Sequence, residues 1–282
     1  MISMERVAMD KDATSRIPRS SKRANELNGS EWTKFSISVW KDIHKTPEES
    51  KYHHPAMFPT MLTNRLIRCF AAPSDKIVLD PFMGSGSTLV SALNIGKQGI
   101  GFEINKEYIQ LAEKRLAQKP LIGEFMQPLI YQDSATHIEQ RLEPKSVHLC
   151  ITSPPYWDIL SQKRTADYKK IRDYGNMDGD LSKIDSYEGF LDGLDQVFRG
   201  VYNVLAKNKY CIVNVMDLRK KDKFYPFHCD LSARMQKIGF IWDDVIIWDR
   251  RDEYNNLRSL GYPYVFRINK IHEYLLIFKK PD

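Results

Sequence analysis

Between residues 76 and 103 the chain reads KIVLDPFMGSGSTLVSALNIGKQGIGFE. Two short apolar runs, 76–80 and 99–103, flank a turn bearing Gly84 and Gly86 and a stretch of helical spacing that starts at Ser87. Strands joined through a helix run parallel, with the helix crossing over one face of their sheet, so this segment dictates a βαβ unit. Parallel sheets are buried on both faces, and 42% hydrophobic residues over 282 positions suffice to cover one.

The same alternation continues along the chain. Further apolar runs stand at 128–131, 147–152, 210–215, 244–248 and 273–278, and helical patterns at 60–71, 87–95, 105–118, 187–205 and 228–237. This predicts an α/β domain over 51–282, built on a mainly parallel sheet with crossover helices. Residues 1–30 mix charge with Ser, Asn and Arg without clean periodicity and read as flexible or at most a small helix, and 1–50 as a whole are expected to form an amino-terminal arm, flexible or DNA-contacting. Segments 157–186 and 249–271 are polar, rich in Tyr and Arg, and too long for tight connections, which marks them as functional loops.

Two constellations carry chemistry. In the first, a strand ends in Asp80, glycines let the following turn approach a ligand closely, and a second strand ends about twenty residues later in Glu103, the spacing that puts a carboxylate on ribose hydroxyls. Gly84-Ser85-Gly86 is followed by Ser-Thr-Leu rather than a third glycine, so a pyrophosphate cradle is poorly supported. In the second, TSPPYW (152–157) follows the run VHLCI directly. A Pro-Pro pair can neither extend a strand nor enter a helix, so it forces a stiff turn at the strand's carboxyl end, where open α/β sheets bind their ligands. That turn presents the Ser153 hydroxyl, the Pro154 carbonyl and the Tyr156 ring.

Residues 76–116 resemble motifs I and II of the amino-methyltransferases of DNA, whose signature is Asp-Pro-Phe-x-Gly-Ser-Gly. The resemblance implies an α/β, Rossmann-like class I S-adenosylmethionine-dependent methyltransferase, a seven-stranded mixed sheet with helices on both faces and strand order 3-2-1-4-5-7-6 for the seven runs above. By position, Asp80, Phe82, Gly84 and Gly86 fall on the first motif and Glu103 on the second, where the family holds S-adenosyl-L-methionine. Upstream, YHHPAMFPTML (52–62) looks like motif X, with Phe58 and Pro59 at the matching positions. Asp133 stands where the family often places a residue near the cofactor's adenine, and is equally suited to cap the turn that follows. Ser153, Pro154, Pro155 and Tyr156 match the catalytic motif IV. An exocyclic amine is a poor nucleophile because its lone pair is delocalised into the ring, and two acceptors on its N–H groups localise that pair. Ser153 and the Pro154 carbonyl suit those roles, and Tyr156 suits stacking on a base drawn out of the duplex. Ser-Pro-Pro-Tyr is commonest in cytosine-N4 enzymes, so the resemblance implies a site-specific DNA methyltransferase acting on N4 of cytosine in duplex DNA, with adenine N6 the runner-up and an RNA base the third reading.

Other chemistries fit less well. Methylation at cytosine carbon 5 uses a thiolate that follows a proline, and none of Cys69, Cys150, Cys211 and Cys229 does. No His/Cys spacing suggests a metal, His228 reads as solvent-exposed or structural, and a G-x-S-x-G elbow is absent. The motif order X, I, IV matches the gamma group of the family, but no separate target-recognition domain follows. The expected DNA contacts therefore fall on the two loops, at Lys163, Arg164, Lys169, Lys170 and Arg172 in the first and Arg250, Arg251 and Arg258, with Tyr262, in the second. Arg16, Arg19, Lys22 and Arg23 let the arm clamp the DNA backbone, and a net charge of +6 agrees with a polyanionic partner. Scattered cysteines and the lack of any apolar run of about eighteen residues suggest a cytoplasmic protein without a membrane segment, prokaryotic or phage-encoded and associated with the nucleoid. A cognate restriction endonuclease is the expected partner.

Overall fold

The computed structural model describes residues 23–52, 57–118, 127–157, 180–253 and 259–282. In chain order its strands are β1 (Val39–Trp40), β2 (Ile77–Asp80), β3 (Gln98–Phe102), β4 (Leu129–Tyr131), β5 (Val147–Thr152), β6 (Leu205–Val215), β7 (Leu218–Lys220), β8 (Lys223–Tyr225), β9 (Ile241–Asp249) and β10 (His272–Lys279). The helices are α1 (Gly29–Phe35), α2 (Pro47–Lys51), α3 (Thr60–Phe70), α4 (Ser87–Asn94), α5 (Lys106–Ala117), α6 (Ile138–Arg141), α7 (Tyr187–Val204) and α8 (Phe227–Ile238). All strands but β7 and β8 join one sheet in the order β1-β9-β10-β6-β5-β2-β3-β4. Read from the β4 edge, this is the order expected for the seven runs, with an eighth strand added beyond β9. The fold is Rossmann-like.

Pairing from β4 through β6 is parallel, whereas β10 lies antiparallel between β6 and β9. Successive side chains alternate between the faces. Leu79, Cys150, Val213 and Phe278 enter the core shared with Phe190 and Leu194 of α7 and Phe227 of α8. Their neighbours Val78, Ile151, Ile212 and Ile277 enter the opposite core, with Leu62 and Leu66 of α3. The apolar runs legible in the sequence are continuous rather than alternating because both faces are covered.

Two elements depart from expectation. Residues 23–50, taken above as part of an arm, are integral to the domain. A capping box between Asn28 and Glu31 starts α1, and β1 pairs with β9 at Ile247 and Trp248. Trp40 is 1% exposed, and Arg65 grips Asp42 through two bonds of 2.7 and 2.8 Å, which hold that carboxyl down at about 2. Burial of an indole this complete anchors the segment. Residues 1–22, with Arg16, Arg19 and Lys22, lie outside the described residues. Second, 218–225 form a separate β7–β8 hairpin that turns at Lys221 and Asp222. The connection from β9 to β10 is closed at its base by the Arg250 N–H, which donates to the Ile271 carbonyl at 2.8 Å. No helix among the described residues is long and apolar enough to cross a membrane.

Candidate active site

Strand β2 ends at Asp80, and the chain turns through 81–86 into α4. Gly84 (φ 52°) and Gly86 (φ 77°) both sit in the left-handed region, which side chains other than glycine rarely adopt. A Cβ on Gly86 would also lie 2.8 Å from the Ala112 Cβ, so this glycine lets α5 pack against the turn. The Asp80 carboxylate, 3% exposed, accepts from Thr88 Oγ1 (2.6 Å), Thr152 Oγ1 (2.7 Å) and the Phe82 N–H (3.2 Å). It thereby ties β2, α4 and β5 to the turn, and burial pushes it up to about 6 against those donors. Just past β3, Glu103 accepts from the Gly84 N–H at 2.9 Å and the Asn105 N–H at 2.8 Å, and burial pushes it up to about 7. Arg115 of α5 braces the turn from behind by donating to the Ser85 carbonyl (2.6 Å) and Ser87 Oγ (3.0 Å), with Glu49 as its counter-ion.

The chain leaves β2 toward β3 on one side and β5 toward β6 on the other, and between such diverging connections an open α/β sheet has its crevice. A cavity opens there, between the glycine turn and the Pro-Pro turn after β5. Phe58, Asp80, Phe82, Gly84, Glu103 and Asp133 line it, as do Ser153, Pro154 and Pro155. The Ser153 hydroxyl donates to the Asn214 carbonyl at 3.0 Å, so its proton is committed and its oxygen remains an acceptor. Behind it, Asn214 Nδ2 donates to Glu273, which also receives Arg250. A chain of buried polar groups thus runs from the Pro-Pro turn across β6 and β10.

Several expected residues serve in other ways. Pro59 caps α3 and Gly86 caps α4, both outside the cavity lining. Tyr156, expected to offer its ring to a base, is 9% exposed and belongs to the core beneath α7, because the Pro-Pro turn returns the chain into apolar surroundings. Asp133 lines the cavity, but its carboxylate is engaged by the Ser134 N–H, His137 and Arg141, which hold it at about 2. Arg250, expected on DNA, is drawn inward to Glu273 and Glu253. Arg251 is exposed and pairs with Asp249 at 2.5 Å. Lys163, Arg164, Lys169, Lys170, Arg172 and Arg258 lie outside the described residues.

Other groups escaped the sequence reading. Asp180 lines the cavity, accepts from Ser182 through Oδ1, and leaves Oδ2 buried without a partner among the described residues. His228 is not isolated: Nδ1 meets Asp217 at 2.5 Å, and its ring stacks on Tyr274 at 4.0 Å. Cys150 lies opposite Cys211 in the β5–β6 register, and burial raises its thiol well above the ordinary range, so it is no thiolate nucleophile. Among the described residues no group of three or more His, Cys, Asp or Glu could hold a metal.

A sequence-family profile for DNA methylases matches residues 4–114 and 147–282 of the chain. It shares 43% identity over 63 residues with the Type II methyltransferase M.ScaI of Streptomyces caespitosus, covering 22% of this chain and 20% of that protein. With M.BglII of Bacillus subtilis the figures are 34% over 100 residues, 35% and 27%, and with M2.DpnII of Streptococcus pneumoniae 39% over 92 residues, 32% and 33%. The matched part of the chain therefore spans a fifth to a third of the length of these relatives. Among solved structures, TTHA0409 of Thermus thermophilus, complexed with S-adenosyl-L-methionine, is similar at 29% identity and a TM-score of 0.37, covering 52% of this chain and 53% of that one. TrmN of Thermus thermophilus is similar at 14% identity and a TM-score of 0.48, covering 78% and 48%.

Proposed function

The chain belongs to the family of DNA methylases, and we propose that it transfers the methyl group of S-adenosyl-L-methionine to N4 of a cytosine in duplex DNA. The observation that carries this reading is the shared cavity, in which the Ser153 hydroxyl and the Pro-Pro turn face the same space as the glycine turn and Glu103.

The residues present fit the cofactor. Glu103 would take the ribose hydroxyls, since its carboxylate lines the cavity while two backbone N–H groups fix its orientation. Gly84 leaves the turn bare of a side chain for the methionine end, and Phe58 and Phe82 supply apolar wall. Asp80 acts one step back, holding the turn through Thr88 and Thr152. Bound there, the cofactor supplies a methyl group on a sulfonium centre whose departure needs no acid.

The chain's part is to prepare the amine. Ser153 Oγ, whose O–H donates to the Asn214 carbonyl, accepts one N–H of the base, and the Pro154 carbonyl accepts the other. Both bonds strengthen as the nitrogen becomes tetrahedral, which places their effect in the transition state. In the net change the nitrogen gains the methyl group and releases one proton to solvent, while the sulfonium becomes a neutral thioether. A companion endonuclease with the same recognition sequence is the partner this reading implies.

The test is the identity of the product. Duplex DNA incubated with the protein and labelled cofactor, then digested to nucleosides and resolved by chromatography and mass spectrometry, should contain N4-methylcytosine. N6-methyladenine would move the target to the other exocyclic amine, and methylated RNA with unmodified DNA would change the substrate class. No methylated nucleoside from any nucleic acid would refute the proposal.

A further inference from the structure

Several arginines elsewhere in the domain meet carboxylates: Arg65 with Asp42, Arg115 with Glu49, Arg141 with Asp133, Arg250 with Glu273. The β7–β8 hairpin differs. Its sequence LRKKDKFY sets four cations in five positions, 219–223, beside a single acid. Arg219, Lys221 and Lys223 are exposed, and none of the three has a carboxylate partner among the described residues. The Arg219 guanidinium instead donates to the Asp222 carbonyl at 2.9 Å, stiffening the tip. Like charges held this close repel one another, and a polyanion relieves that repulsion.

The hairpin packs against the residue that follows the Pro-Pro turn. Lys220 Nζ lies 4.1 Å from the centre of the Trp157 ring, and the Tyr225 ring packs on the same indole at 5.3 Å. Trp157 directly follows the Ser153–Tyr156 turn. On its other side the hairpin is tied to the β9–β10 connection, where Arg267 Nη1 donates to the Lys221 carbonyl at 3.1 Å and Lys270 Nζ sits 4.8 Å over the Phe224 ring. That connection turns at Gly261, whose carbonyl accepts the N–H groups of both Tyr264 and Val265. The turn displays Tyr264 and Phe266 at 92% exposure. Rings left in water beside uncompensated cations suit a partner with phosphates and flat bases.

We propose that the β7–β8 hairpin, with the exposed rings of the adjoining connection, is the surface that grips duplex DNA; this rests on the DNA-methylase reading above. A two-stranded ribbon has the width a major groove admits. Arg219, Lys221 and Lys223 neutralise phosphates, while Tyr264 and Phe266 press on the bases next to the one drawn into the cavity. Both elements start where strands of the sheet, β6 and β9, end.

The experiment uses the full chain carrying Arg219→Gln, Lys221→Gln and Lys223→Gln together. Fluorescence anisotropy on a labelled duplex is followed across salt concentration, alongside steady-state methylation and calorimetry with S-adenosyl-L-methionine. Cofactor affinity and kcat should stay unchanged, while KM for DNA rises about tenfold or more and the slope of log affinity on log salt falls by about 2 to 3. The tip pair Lys221→Gln/Lys223→Gln should show about two thirds of that slope change, and it decides the matter if the triple variant does not fold. The parent's slope and KM in these variants would overturn the proposal while leaving DNA methylation standing. Retention on anionic phospholipid vesicles, with unchanged duplex binding, would assign the surface to a membrane and overturn it as well. A parent that neither binds nor methylates duplex DNA would remove the reading beneath it.

Discussion

Acidifying the solution should strip the cavity of its cofactor, and Glu103 sets the pH at which this happens. Its carboxyl is pushed up to about 7 by burial, which outweighs the N–H groups of Asn105 and Gly84. Ribose hydroxyls donate more strongly to a carboxylate than to a neutral acid, so affinity follows the ionised fraction. For a group titrating at about 7, that fraction is about 0.9 at pH 8, about 0.09 at pH 6 and about 0.01 at pH 5, a loss of about 2.7 kcal/mol across the range. The dissociation constant should therefore rise about tenfold from pH 8 to pH 6 and about ninefold more by pH 5. Calorimetry at constant ionic strength on the parent and on Glu103→Gln isolates the effect, because titration of the ligand's own amine cancels in the ratio. The substituted protein should bind weakly at every pH, with a flatter profile. Identical pH profiles in the two proteins would refute the reasoning, since Glu103 would then not be the group that responds. Folding takes the opposite sign. A carboxyl raised by burial stabilises the fold fully below its ordinary range and loses that contribution as pH rises through its folded value, so the free protein should melt lower at pH 8 than at pH 6.

Two further outcomes follow from the geometry. Ser153→Ala should leave cofactor affinity intact and slow single-turnover methyl transfer on the order of a hundredfold, the equivalent of about 2–4 kcal/mol of barrier; a parental rate would remove the hydroxyl from the mechanism. Trp40→Ala should cost about 3–5 kcal/mol in urea unfolding, as expected for a buried indole; a loss below about 1 kcal/mol would mean that residues 23–50 are a detachable arm after all.

Most of the sheet was legible because doubly covered strands leave uninterrupted apolar runs, and the helices between them keep their period. The runs at 76–80 and 147–152 fall within a residue of β2 and β5. What stayed hidden has physical causes. β1 is two residues long and declares itself only through the burial of Trp40, which depends on partners far away in sequence. The hairpin LRKKDKFY has no apolar alternation to announce a strand; its turn rests on Lys221 at φ 57°, a conformation few residues other than Gly and Asn adopt readily. Arg250 looked like a DNA contact because its charge was visible and its pairing with Glu273, 23 residues on, was not. In the cavity the motif positions were legible, whereas Arg115 and Asp180 were not. An arginine inside a helix and an aspartate in a loop are ordinary until packing shows what they touch.

The closure of the β9–β10 connection by Arg250 and Ile271 has a consequence for how such a protein can change its target. A loop whose two ends are already pinned by the sheet can lengthen at small cost, about 0.6 kcal/mol for each doubling. Because β10 runs against its neighbours, the loop leaves and re-enters the sheet at the same edge, beside the Pro-Pro turn. On the proposed reading, residues inserted there would reach the duplex without disturbing β2, β3 or the glycine turn. Target preference and methyl-donor binding are thus free to diverge at different rates, the first by loop insertion and replacement, the second constrained by glycines and a buried aspartate that tolerate little.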